Sequence, residues 1–253
     1  MMPGCGTNRS RILECNLSSY DDIEESKYIY RETHWVRAML AMRMIESEVR
    51  RRREAGTGDF RLLSIACSTG IIEERLVQMG LEVYAVDVAR APLELAKDRG
   101  ICVQQADASD NLPYKDGSFD FIFAGEIIEH LIDTKTFLCE LNRILRDDGI
   151  LLLTTPNLAR FPDRIRFLIG KAPRHTTPMH EYLFLHIRPF TSQSLQKSLW
   201  ACGFDIKEFK SNFVFLDPFQ RTGVKSRLLA RLFPSLGESL IVKARKIGRC
   251  WEC

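Results

Sequence analysis

Apolar residues recur along the chain with two different periods, and the change near residue 60 divides it. Trp35, Met39, Met42, Ile45 and Val49 follow one another at steps of three and four, the spacing of one face of an amphipathic helix. Arg50 to Arg53, then Gly56 and Gly58, close that helix, since basic side chains in a last turn suit its dipole. From residue 60 onward, short apolar runs alternate with helical patterns. RLLSIA, LEVYAV, ICVQQ, FDFIFAG and ILLLTT read as strands. Between them, Ile72, Leu76 and Met79, then the stretch from Pro92 to Gly100, then Phe137, Leu138, Leu141, Ile144 and Leu145 carry helical spacing. The near-continuous apolar character of ILLLTT is that of a parallel strand buried on both faces. Such alternation predicts an α/β fold with a doubly wound, mostly parallel sheet. FDIKEFKSNFVF and ESLIVKARK predict an antiparallel C-terminal hairpin. The expected organisation is therefore a helical extension over 1–58 and one domain over 59–253, with 157–200 and 216–236 as lid or insert segments.

Composition narrows the class without changing this outline. With 253 residues, 45% hydrophobic and 27% charged, the chain has the make-up of a globular protein and not of a disordered or repeat sequence. No apolar run approaches the roughly 18 residues of a spanning helix, and the opening lacks the apolar stretch of a secretory signal, which predicts a cytoplasmic protein. The 8 cysteines are scattered through strand and helix patterns and read as small buried hydrophobes in a reducing compartment. Only Cys250 and Cys253 form a CxxC pair, whose bland reading is a frayed tail. Charge is uneven: residues 59–155 carry 9 basic and 17 acidic groups, residues 156–253 carry 17 and 7. An anionic partner would therefore meet the C-terminal part, although a solvated basic surface explains the same bias.

Three strand ends carry candidate chemistry. The turn SIACSTG, residues 64–70, follows the first strand, where backbone N–H groups must approach a ligand. Asp87 ends the second strand 17 positions past Gly70, where a carboxylate can accept from a ribose diol, and Asp107 follows the third, within reach of an adenine amino group. The spacing does not fit GxGxxG, which argues against a nicotinamide dehydrogenase.

At these residues the chain resembles the class I methyltransferases that use S-adenosylmethionine (SAM), closely over 60–157 and loosely over 186–246. The resemblance implies a seven-stranded Rossmann-like sheet. It also implies a cofactor site of Ala66, Cys67, Ser68, Gly70, Asp87, Val88, Asp107, Ala108, Gly125 and Glu126. The family's first turn, acidic-x-Gly-x-Gly-x-Gly, falls on Ser64, Ala66, Ser68 and Gly70 and departs at three of four places. Losing the leading acid removes a partner of the methionine amino group. The fourth strand ends in AGEIIEHL; if helical, it sets Glu126, Glu129 and His130 on one face at i, i+3 and i+4. That string is similar to the glutamate-glutamate-histidine element of ubiquinone-biosynthesis O-methyltransferases and of small-RNA 2′-O-methyltransferases. The latter similarity extends to His186 in HIRPFT. It implies Glu129 and His130 as catalytic groups and Glu126, Glu129, His130 and His186 as ligands for Mg2+ or Mn2+. His175 and His180 lie in the same loop as His186, and the irregular spacing and intervening prolines there read as a lid.

No Asn/Asp-Pro-Pro-aromatic tetrapeptide and no Pro-Cys nucleophile is present, which disfavours nucleobase methylation and leaves ribose open. The expected activity is O-methylation of a small-molecule or lipid-linked hydroxyl acceptor. Basic amphipathic segments around 160–171 and 224–233 suit peripheral contact with an anionic membrane. Two rivals stand beside it: a noncatalytic methyltransferase-like subunit or SAM sensor, and a nucleic-acid enzyme acting on RNA ribose.

Overall fold

The computed structural model describes residues 31–56, 58–176, 186–219 and 222–250. Helix α1 (Glu32–Glu54) leads into an alternating series: β1 (Arg61–Ile65), α2 (Glu74–Gln78), β2 (Glu82–Asp87), α3 (Arg90–Asp98), β3 (Cys102–Gln105), β4 (Phe119–Gly125), α4 (Thr134–Ile144) and β5 (Leu145–Pro156). Helices α5 (Phe161–Leu168) and α6 (Ser192–Ala201) precede β6 (Phe204–Lys210). A short hairpin of β7 (Val214–Phe215) and β8 (Lys225–Ser226), then α7 (Arg227–Leu232) and β9 (Ser239–Lys246), complete the described chain. The main sheet has seven strands in the order β3-β2-β1-β4-β5-β9-β6. Its first five are parallel, whereas β9 runs antiparallel to both β5 and β6.

Successive residues of the central strands feed opposite faces, which is why their sequences are apolar throughout. Leu62, Phe121 and Leu152 pack with Met42, Ile45 and Leu93 on one face, while Leu63, Ile122 and Leu153 pack with Leu138, Leu141 and Leu195 on the other. Helix α1 thus covers the sheet beside α3. Its buried stripe runs through Arg37, Ala38, Ala41, Met42, Met44, Ile45, Glu48 and Val49. Trp35, expected on the buried face, is 39% exposed, because the stripe that meets the sheet is centred on Ala41 and Ile45. The arginine run closes the helix as its dipole favours, and it also clamps neighbouring loops: Arg52 donates to Asp148 O and Arg53 to Met79 O.

The insert begins at Asn157 and is tied down at once. Arg160, 1% exposed, pairs with Asp163 and Glu238 at 2.5 Å each, locking α5 to the start of β9. A Thr191–Ser194 capping box starts α6. The long strand expected over FDIKEFKSNFVF stops at Lys210. Asn212 Oδ1 accepts from Phe213 N and Ser239 N, a side-chain alternative to the ladder that turns the chain into β7.

Cys67 and Cys202 are buried thiols, as expected, and Cys102 is an exposed one; two other cysteines depart from that expectation. Cys139 on α4 and Cys250 after β9 form a disulfide across 111 residues, a pairing that adjacency in the fold creates and spacing does not show. Cys253, with residues 1–30 and the loop holding His180, lies outside the described residues, as does the His175 side chain. Among the described residues, no helix is long and apolar enough to cross a membrane.

Candidate cofactor and acceptor site

Strand β1 lies between β2 and β4, so the chain reverses its winding there and a crevice opens at the carboxyl ends of the strands. The turn SIACSTG occupies that crevice. Ala66, Ser68 and Gly70 have φ of 57°, 50° and 73°, the left-handed conformation that glycine adopts without strain. The backbone therefore keeps the shape of a glycine-rich turn although two of three positions carry a Cβ. Left-handed backbone at an L-residue costs about 1–2 kcal/mol, partly offset by the looser unfolded chain that glycine brings. Ala66→Gly and Ser68→Gly should each raise stability by up to about 1 kcal/mol in thermal unfolding. Gly70→Ala should lower it by about 2 kcal/mol or more, since a Cβ there would sit 2.5 Å from Ile101 Cδ1 and 3.0 Å from Ala96 Cβ.

Asp87 binds this turn to β2. Its Oδ2 accepts from Ser68 N at 2.9 Å and its Oδ1 from Ala89 N at 3.0 Å. Burial raises its carboxyl above the usual range, while backbone N–H groups of Ala89, Ser68 and Val88 oppose that rise. Two bonds leave capacity on a carboxylate for two further donors. Val88 O accepts from Gln105 Nε2, Asp107 Oδ1 accepts from Ser109 N, and Ala108 is buried in the core beneath them. Cys67 is 6% exposed and belongs to the core under the turn, so only its backbone faces the crevice. Ser64, at the position of the missing acid, is fully buried and donates to Glu73 Oε1 at 2.7 Å. An acid is thus present one residue type removed, carried by a neighbouring element.

At the end of β4 the expected single helix face does not form. Gly125 is followed by Glu126 at φ 55°, and only Ile128–His130 make one 3-10 turn. The left-handed residue redirects the chain, so Glu126 and the Glu129–His130 pair leave it in different directions. Glu126 accepts from Arg37 Nη1 at 2.8 Å and from Thr154 Oγ1 at 3.0 Å. Glu129, 1% exposed, accepts from Thr155 Oγ1 at 2.9 Å, and its Oε1 is buried with no hydrogen-bond partner among the described residues. Burial, and after it the charge of Glu126, holds its carboxyl well above the ordinary range. One ligand atom from each of Glu129, His130 and His186 lies within 4.8 Å of the others, and Glu126 is not in that group. The two imidazoles meet edge to face at 4.9 Å, and Arg188 N donates to Glu129 O, bringing the segment after the insert onto the turn.

Arg37 is the site residue that the helical spacing alone did not single out. The signal was present: Arg37, Ala41 and Ile45 share one stripe at steps of four, so a cation lay on an apolar face. Its Nη1 also lies 2.9 Å from His34 Nδ1. Burial first and the Arg37 charge second push the His34 pKa down to about 3. A folded pKa below the unfolded value near 6.5 means stability that is fully present above pH 6.5 and lost as pH falls towards 3. His34→Gln should abolish that part of the acid slope, read by urea unfolding at pH 7 and pH 4.

A mostly parallel sheet with a left-handed turn held by an acid at the next strand end is an arrangement suited to a nucleoside-type cofactor. Comparison with known proteins agrees. Residues 63–153 match a family profile described as a methyltransferase domain. A Mycobacterium tuberculosis protein named "Probable S-adenosylmethionine-dependent methyltransferase" is 28% identical over 185 residues, 72% of this chain and 58% of that protein. A ubiquinone biosynthesis O-methyltransferase of Methylocella silvestris is 25% identical over 170 residues, 63% of each chain. The chain therefore spans about three-fifths of the length of these relatives. In fold, it is similar to the Burkholderia thailandensis 1,6-didemethyltoxoflavin-N1-methyltransferase, with a TM-score of 0.61 at 16% identity over 98% of this chain and 93% of that one. Over residues 63–153 the chain is thus similar to a methyltransferase domain, and it shares the fold of SAM-dependent methyltransferases.

Proposed function

We propose that the protein transfers a methyl group from SAM to a hydroxyl oxygen of a small-molecule or lipid-linked acceptor. The observation that carries this reading is the Glu129–His130–His186 cluster, set at the carboxyl end of the strand beside the cofactor turn. SAM brings its own electrophile, so the chain must orient the acceptor and take up its proton. A buried Glu129 beside His130 suits that task, with His130 as the base and Glu129 orienting it. The orphaned Glu129 oxygen and two imidazoles also fit a divalent cation. Bound there, Mg2+ or Mn2+ would lower the acceptor hydroxyl pKa. On the cofactor side, Asp87 takes the ribose diol, Asp107 the adenine edge, and Glu73 stands in for the acid absent from position 64.

A lipid-linked acceptor is favoured over RNA by the insert. Phe167 and Leu168 on α5, 72% and 85% exposed, and Leu228 and Leu232 on α7, 65% and 60%, lie among Arg164, Arg166, Arg227 and Arg231. Both helices pack on β7. Apolar side chains rimmed by arginines suit an anionic lipid surface.

The test is calorimetric titration with SAM and its demethylated product, then transfer from labelled SAM to phenolic and polyprenyl-phenolic acceptors, with Mg2+, Mn2+ or chelator. Turnover on a hydroxyl acceptor supports the reading. A folded protein that binds SAM but turns over no hydroxyl acceptor is a sensor, and one that methylates RNA with an affinity falling steeply with salt is a ribose enzyme.

A further inference from the structure

Three cysteine sulfurs meet at the end of the molecule opposite the cofactor crevice. Cys139 lies on α4, Cys202 directly follows α6, and Cys250 follows β9, whose last residues pair with the start of the apolar run of β5. The three Sγ atoms lie within 4.8 Å of one another, and Cys202 Sγ is 4.0 Å from Cys139 Sγ. Cys139 and Cys202 are 9% and 2% exposed.

The surrounding backbone is built to bring these segments together. Asn142 Nδ2 donates to both Cys202 O and Gly248 O at 2.9 Å, so one side chain holds two cysteine-bearing segments. Ile247 N donates to Gly203 O at 2.9 Å. Gly203 has φ 78°, and a Cβ there would lie 2.5 Å from Gly248 O, so only glycine lets the tail approach this closely. None of these contacts touches the Glu129 cluster or the cofactor turn.

We propose that the reduced protein binds a soft divalent ion, Zn2+ in the first instance, through the Cys139, Cys202 and Cys250 thiolates. The present structure holds two of these sulfurs as a disulfide. A dithiol reductant breaks that S–S bond by exchange: its two thiols become its own disulfide, and two electrons and two protons pass to Cys139 and Cys250. Ion binding then releases the thiol protons. Three converging thiolates are a donor set that selects Zn2+ over the oxygen-loving ions of the opposite edge. Cys253, three positions beyond Cys250 in the CxxC spacing of paired zinc ligands, lies outside the described residues, and the proposal rests on the other three. The ion would fasten the C-terminal tail to α4 and α6 in the reduced protein, as the disulfide does in the oxidised one.

The test is a Co2+ titration of the full chain, reduced with dithiothreitol, desalted without air and followed by absorbance. The expected result is a thiolate-to-cobalt charge-transfer band that saturates at one ion per chain and is displaced by Zn2+. It should be absent from the unreduced protein and lost in Cys202→Ser and Cys250→Ser, while Cys102→Ser, whose thiol is outside the cluster, retains it. Circular dichroism and SAM titration of each variant report whether it is folded. No band from folded, reduced wild type, or a full band in both folded variants, would overturn the proposal. Because the readout is metal absorbance at the far edge, it stands or falls separately from the methyltransferase reading.

Discussion

Asp87→Ala is expected to weaken SAM binding by at least about 100-fold in calorimetric titration while the sheet stays folded. Each charge-assisted hydrogen bond from a ribose hydroxyl is worth about 1.5–3 kcal/mol, so losing two removes at least about 3 kcal/mol, or two decades of affinity. A second effect acts in the same direction. The Asp87 carboxylate also receives Ser68 N and Ala89 N, so it holds the strained turn in the shape that the cofactor meets. Asp87→Asn keeps an acceptor for one of these bonds without the charge and should fall between the two proteins. A Kd within threefold of wild type for the alanine variant would remove Asp87 from the site and with it the proposed binding mode. This test is indifferent to catalysis, since enzyme and sensor alike need the cofactor.

The central strands β1, β4 and β5 were legible because they are buried on both faces and read as near-unbroken apolar runs. Leu62 and Leu63, or Leu152 and Leu153, face opposite cores and leave no polar position in between. The placement of Asp87 at the end of β2 and of Asp107 after β3 was legible from the strand boundaries alone. The turn was harder. Two of its residues are not glycine, yet the backbone is left-handed at Ala66 and Ser68, where Asp87 grips Ser68 N and the close approach of Ile101 leaves no room for a Cβ at Gly70. Spacing failed at Glu126. An i, i+3, i+4 pattern presumes a helix, and a single residue at φ 55° breaks that premise. Contacts across long separations left still less trace: Arg37 meets Glu126 over 89 residues, and Cys139 meets Cys250 over 111. Only the sheet, by placing α1 over β5 and the tail beside α4, turns those distances into neighbours.

Under the proposed reading, Glu129→Gln should lower turnover by about 100-fold or more with SAM affinity unchanged, because positioned proton transfer contributes about 10²–10⁴ to such reactions. The amide is close in shape, and its oxygen can still accept from Thr155 Oγ1, the one hydrogen bond that anchors Glu129 Oε2. What it cannot do is carry negative charge beside His130 or offer a carboxylate oxygen to a cation. Folding should not suffer: the wild-type carboxyl is buried, raised in pKa and short of one partner, so charge there is a burden on the native state. Loss of turnover with intact cofactor binding and undiminished thermal stability therefore marks a functional group. A variant that is as active as wild type and more stable would mark Glu129 as a buried structural acid, leaving His130 and His186 to act without it. His186→Ala separates the remaining cases. If the cluster works through a cation, that variant should lose its response to Mg2+ or Mn2+ along with most of its turnover. If His130 acts as a base alone, turnover should persist in chelator and fall only modestly when His186 is removed.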